Sequence, residues 1–108
     1  MDKETAQKVR KQLEKTAEKE EIRLNKIILF GSRSRNDYTE NSDVDLIIIS
    51  EDFKGTKWFK RGGEFQRQWD YDNLPTPEII CLTPQELKKR KQKKADIASI
   101  AAEEGVEI

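Results

Sequence analysis

Leu46-Ile47-Ile48-Ile49 is an uninterrupted apolar run that follows directly on Asp43-Val44-Asp45. Isoleucines in succession favour an extended strand over a helix. Successive strand residues point to opposite faces, so a run without polar alternation must be covered on both. Helical layers above and below a sheet supply that cover, and the chain is therefore expected to be α/β. At 108 residues it holds about one domain's worth of core. No internal repeat and no linker divides it, so residues 1–108 are expected to form one domain.

The remaining elements are read around that strand. Ala6, Val9, Leu13 and Ala17 recur at helical spacing and predict a helix over 3–21, with Asp2 as its N-cap. Lys26-Ile27-Ile28-Leu29-Phe30 is a short strand that stops at Gly31, and the polar segment 32–42 is a loop or a short helix. Residues 55–72 form an imperfect helix anchored by Trp58, Phe59, Phe65 and Trp69, with Gly62-Gly63 weakening its middle. Pro75 and Pro77 bracket a turn into a third strand, 78–82. Thr83-Pro84-Gln85-Glu86 is a capping box with proline at the first helical position, and the helix it opens is expected to run to about Glu104 and stop at Gly105. The order predicts a small mixed sheet of about three strands flanked by helices.

Charged residues make up 39% of the chain, yet Lys+Arg and Asp+Glu stand at 21 each. A formal net charge of zero argues against a coat for nucleic acid or an anionic membrane. No apolar run approaches the roughly 18 residues of a membrane span. The charged start Met1-Asp2-Lys3-Glu4 lacks the apolar stretch of a secretion signal, so a cytoplasmic location is expected. The single cysteine, Cys81, excludes an intrachain disulfide and a multi-cysteine zinc site; it reads as a small core residue. Histidine is absent. Any catalysis must then run on carboxylates, hydroxyls, Lys and Arg, together with a hard metal ion.

Two carboxylates two residues apart in a strand, Asp43 and Asp45, share a face and repel each other. A Mg²⁺ ion is their natural partner, because it favours carboxylate, water and phosphate oxygens. Glu78 opens the third strand and reaches the same rim if the connection through 55–72 is a parallel crossover. Three acids at one sheet edge can hold two divalent ions about 4 Å apart, which activates a nucleophile and neutralises a leaving phosphate. Gly31-Ser32 permits a close backbone approach and frees N–H groups to face an anion. Arg33 and Arg35 follow and can fork onto phosphate oxygens. Antiparallel pairing of the first two strands would set this corner beside the acids.

Gly31-Ser32, ten intervening residues, then Asp43-Val44-Asp45 resembles the GS-x10-D-x-D pattern of the minimal nucleotidyltransferases of the DNA polymerase beta superfamily. Ser32-Arg33-Ser34-Arg35, the Leu-Ile-Ile-Ile run and Thr83-Pro84-Gln85-Glu86 extend the likeness over nearly the whole chain. The resemblance implies a polymerase-beta-like fold. It also implies metal-dependent transfer of a nucleoside monophosphate from a nucleoside triphosphate, ATP in the first instance, to a hydroxyl, with release of pyrophosphate. By that likeness Gly31 and Ser32, with Arg33, bind the triphosphate, while Asp43, Asp45 and Glu78 are catalytic and hold two Mg²⁺ ions. The family's third acid is usually Asp; Glu78 is one methylene longer. The resemblance further implies a small helical partner of the HEPN class in a toxin–antitoxin pair, or a homodimer.

Plainer readings stand beside these. Asp43 and Asp45 also read as solvated acids at a strand start, Glu78 as a surface acid, and Arg33 and Arg35 as surface ion-pair partners. The oxygen-rich segment from Asp37 to Asp45 lacks the glycine and closing glutamate of a calcium loop. The basic run over residues 88–94 reads as a solvated helix surface, with RNA or an acidic partner as the alternative. The four aromatics read as core or interface anchors ahead of base-stacking platforms. The alternative to an enzyme is a weakly active or inactive module of the same fold that binds and restrains a protein partner.

Overall fold

The computed structural model describes residues 1–92 and 103–108. Helix α1 (Lys3–Lys19) starts where Asp2 Oδ1 accepts the Thr5 N–H at 2.7 Å. It buries Val9, Leu13, Thr16 and Ala17 along one stripe. It stops two residues short of the expected 3–21. Glu21 takes a left-handed φ of 58°, and the Ile22 N–H reaches back to the Ala17 carbonyl. This is a Schellman turn with glutamate where glycine is usual.

Strand β1 (Lys26–Phe30) stands where expected; β2 (Val44–Ile49) begins just after Asp43, which precedes the strand instead of lying in it, and β3 (Pro77–Leu82) begins one residue before the expected 78, taking in Pro77. A two-residue strand, β4 (Val106–Glu107), adds a fourth, and the sheet order is β3-β2-β1-β4. β1 runs antiparallel to β2 and β4; β2 and β3 are parallel. Between β1 and β2 lies the one-turn helix α2 (Ser32–Arg35). A short 3-10 turn, Glu51–Phe53, follows β2.

The central place of β2 explains its lack of alternation. Val44, Leu46 and Ile48 pack with Val9, Leu13, Phe53, Phe65 and Trp69 on one face. Ile47 and Ile49 pack with Ile28, Leu82 and Leu87 on the other. The crossover to β3 is not one bent helix but two short ones, α3 (Trp58–Arg61) and α4 (Gly63–Arg67), broken at Gly62. The four aromatic anchors divide accordingly: Phe65 and Trp69 are buried, while Trp58 and Phe59 are exposed.

Helix α5 (Pro84–Lys91) begins with the expected capping box, in which the Glu86 N–H donates to Thr83 Oγ1 and the Thr83 N–H to Glu86 Oε1. The continuation towards Glu104 falls mostly on residues 93–102, outside the described residues. Buried Arg61 ties α3 to α5, donating to the Thr56 and Cys81 carbonyls and to Glu86 Oε1. The Arg61 guanidinium holds the Glu86 carboxyl at about 2, well below its ordinary value.

Candidate active site

The β2–β3 register sets Asp45 directly beside Glu78, and the β1–β2 register sets Phe30, the residue before Gly31, opposite Asp45. Asp45, Glu78 and the glycine corner therefore meet at one end of the sheet. Gly31 has φ 74° and ψ −157°, a region essentially reserved for glycine. A Cβ on Gly31 would run into the Asp45 carboxylate. The corner thus lies in direct contact with the acid.

Electrostatics show the same convergence. The Asp45 carboxyl is pushed up to about 6, chiefly by burial, then by its hydrogen bond with Glu78 and by the negative charges of Glu78 and Asp43. Arg35 acts in the opposite direction. Asp43 and Glu78 are exposed and Asp45 half-buried, so the rim opens to solvent. Among the described residues no group of three acids is drawn together around one ion position. Asp45 and Glu78 face each other across the strands, and Asp43 lies near enough for its charge to act on Asp45, but the three do not form a ligand set around one position.

The two arginines have parted company. Arg33, expected on the triphosphate, is 4% exposed. Its Nε and Nη2 donate to the Ser42 carbonyl at 3.1 and 2.9 Å, and its guanidinium lies 4.7 Å from the centre of the Tyr38 ring. Ser42 is the residue before Asp43, so Arg33 fixes the point from which the first acid departs. Nothing in the sequence signals this, because the acceptor is a backbone carbonyl nine residues on. Arg35 is the exposed arginine; it pairs with Asp37 at 3.3 Å and remains close enough to act on Asp45. Ser34 closes the turn with a 2.8 Å bond to the Gly31 carbonyl. The Ser32 hydroxyl makes no side-chain hydrogen bond among the described residues.

Of the basic run, Lys88–Lys91 form the last turn of α5, and residues 93 and 94 lie outside the described residues. No described helix is long and apolar enough to cross a membrane.

The family described as a nucleotidyltransferase domain matches residues 9–106. Two proteins of Methanocaldococcus jannaschii, each named as a "putative protein adenylyltransferase", are similar in sequence. One is 59% identical over 29 residues, 27% of this chain and 29% of the relative. The other is 35% identical over 63 residues, 56% of this chain and 64% of the relative. The matches thus span less than two thirds of either relative's length. A crystal structure described as a putative nucleotidyltransferase from Sulfolobus solfataricus superposes with a TM-score of 0.57 at 24% identity, over 80% of this chain and 70% of that one, which supports the shared fold.

Proposed function

Because the chain belongs to the nucleotidyltransferase domain family, we propose that it moves a nucleoside monophosphate from a nucleoside triphosphate, ATP in the first instance, to a protein hydroxyl, and that it does so with divalent metal at Asp43, Asp45 and Glu78. The protein acceptor comes from the names carried by its relatives. The observation that carries the reading is the contact of the Gly31 corner with Asp45 beside Glu78. That arrangement sets a backbone able to approach polyphosphate against a rim of clustered negative charge.

The donor set fits a hard cation. All three groups are carboxylates, and Asp45 is held near 6 by burial and by neighbours of its own sign, a repulsion that a cation relieves. When bound, such ions supply neutralisation of the phosphate charge and lower the cost of ionising the acceptor hydroxyl. The chain's own groups do the rest. Gly31 lets the backbone approach the triphosphate, and the Ser32 hydroxyl is available to a phosphate oxygen. Arg35 supplies positive charge near the acids, and Arg33 fixes the Ser42–Asp43 segment. Glu78 takes the proton of the acceptor hydroxyl. The hydroxyl oxygen then bonds to the α-phosphorus, the bond from that phosphorus to the bridging oxygen breaks, and pyrophosphate leaves.

Asp43→Asn with Asp45→Asn tests this. The pair should abolish label transfer from an α-labelled nucleotide and leave the fold intact or slightly stabilised, since like charges are removed. Transfer retained in the double variant would overturn the assignment. A second reading, a module that restrains a HEPN-type helical partner without turnover, is favoured by one observation: the acids are not drawn into a closed ligand set among the described residues. Tight partner binding with no label transfer in any divalent metal would select it.

A further inference from the structure

Trp58 and Phe59 take no part in the core or the acid rim. They are 72% and 62% exposed, and the two rings stand edge to face at 6.1 Å. Large aromatic surface left in water at one place marks a contact surface. They wall a cleft of about 490 Å³ floored by Ile79 and Ile80, with Arg90 at its lip. None of the described side chains lining it is acidic. Lys57 and Lys60, which flank the aromatic pair in sequence, are exposed, and Lys57 Nζ lies 6.0 Å from the centre of the Phe59 ring.

The floor is the outer edge of the sheet. The Val44 N–H donates to the Thr76 carbonyl and the Ser50 N–H to the Leu82 carbonyl. A parallel ladder uses alternate residues, so the even-numbered residues of β3 face β2, and Ile79 turns its N–H and C=O outward. Pro77 has no N–H, and the Cys81 carbonyl is taken by Arg61. Those two features blunt the edge on either side of Ile79. Glu78 precedes Ile79 in β3, and it is exposed.

We propose that the cleft seats the acceptor: an acidic polypeptide segment whose apolar or aromatic side chain lies between Trp58–Phe59 and Ile79–Ile80. Its backbone bonds to Ile79, its carboxylates face Lys57 and Lys60, and a hydroxyl of the same segment reaches Glu78. This rests on the nucleotidyl-transfer reading above and deepens it. Three features favour polypeptide over nucleic acid. The outward backbone pair of Ile79 matches another amide. The floor is aliphatic. The edge-to-face packing of Trp58 on Phe59 leaves no parallel ring faces to receive successive bases.

The probe is a fluorescently labelled random copolymer of glutamate and tyrosine, with labelled oligouridylate as the nucleic-acid arm, each read by anisotropy against the full chain. Trp58→Ala/Phe59→Ala and, separately, Lys57→Glu/Lys60→Glu should each weaken copolymer binding by about tenfold or more. Binding of a fluorescent Mg²⁺–nucleotide should be unchanged in both, because none of these residues belongs to the acid rim. Copolymer affinity unmoved in both variants would overturn the proposal. So would oligouridylate binding that is lost in both while the copolymer binds neither variant nor wild type. Failure of the wild-type chain to bind Mg²⁺–nucleotide would instead strike the transfer reading, and the two failures are read separately.

Discussion

Gly31→Ala, compared with Gly55→Ala, separates backbone strain from damage to the site. Both glycines have positive φ, 74° and 85°. A methyl on Gly55 would meet nothing within 4 Å, whereas a methyl on Gly31 would meet the Asp45 carboxylate. Each substitution carries a strain of about 1–3 kcal/mol for an L-residue in such a region. The contact at Gly31 adds little to that sum, because the obstructing atom is the tip of a rotatable side chain. It does something else. To restore an ordinary separation the carboxylate must retreat by about 1 Å, and a displacement of that size near reacting atoms costs about 10²-fold in rate.

Urea denaturation should therefore show both variants destabilised by a similar amount, about 1–3 kcal/mol. Label transfer and Mg²⁺–nucleotide affinity should fall steeply in Gly31→Ala and stay at wild-type level in Gly55→Ala. Adding Asp45→Ala to Gly31→Ala removes the obstruction, and because that contact adds little to the strain, the stability losses should be close to additive. Wild-type nucleotide affinity and transfer in Gly31→Ala would refute the reasoning, since the corner could not then abut a working carboxylate.

The arginines should separate in the same way. Arg33→Lys keeps the charge but loses the fork on the Ser42 carbonyl, costing about 1.5–3 kcal/mol in thermal unfolding along with transfer, while Arg35→Ala should stay within about 0.5 kcal/mol of wild type and raise the nucleotide KM. Glu86→Gln preserves the capping box and removes the charge facing Arg61. The folded carboxyl sits near 2, below its unfolded value, so its contribution is present above about pH 4.5 and fades as pH falls towards 2. The full shift corresponds to about 3 kcal/mol, but the Glu86 side chain is 39% exposed, and screening reduces the expected loss at neutral pH to about 1 kcal/mol, measurable as a difference in urea midpoint that closes in acid. Glu21→Gly should raise stability by about 0.5–1 kcal/mol in the same assay, since glycine takes the left-handed turn without strain.

What could be read from sequence was local or periodic. The Leu-Ile-Ile-Ile run placed β2 between two layers because both faces report in consecutive residues. The Thr83–Glu86 box opened α5 because all of its bonds lie within four residues. Adjacency of Asp45 and Glu78 followed from a crossover long enough to return a parallel strand. The features that escaped depend on distant atoms. Glu21 ends α1 in a conformation its side chain does not advertise. Arg33 looks the same in sequence whether its guanidinium meets solvent phosphate or the Ser42 carbonyl. Trp58 and Phe59 have the composition of core residues, yet on α3 they are exposed, while Phe65 and Trp69, beyond the break at Gly62, are buried. A strand of two residues, β4, is too short to carry a period.

The acid rim also bears on why so small a sheet buries so much of β2. Burial of Asp45, and after it the nearby charges of Glu78 and Asp43, oppose ionisation of its carboxyl and so oppose folding with the group charged. The opposition falls on the open end of β2 and β3, and the residues that follow along β2 are among the best buried in the molecule. Ile47 and Ile48 are fully enclosed, and each contributes about 1.5–3 kcal/mol of burial, enough to hold the strand ends in register against the repulsion. Arg33 acts from the loop side, holding the Ser42 carbonyl immediately before Asp43. Carboxylates free to separate would do so, and a cation would then have to gather them at an entropic cost. On the proposed reading, core packing along β2 and the buried Arg33 guanidinium limit how far these groups can separate before a cation binds.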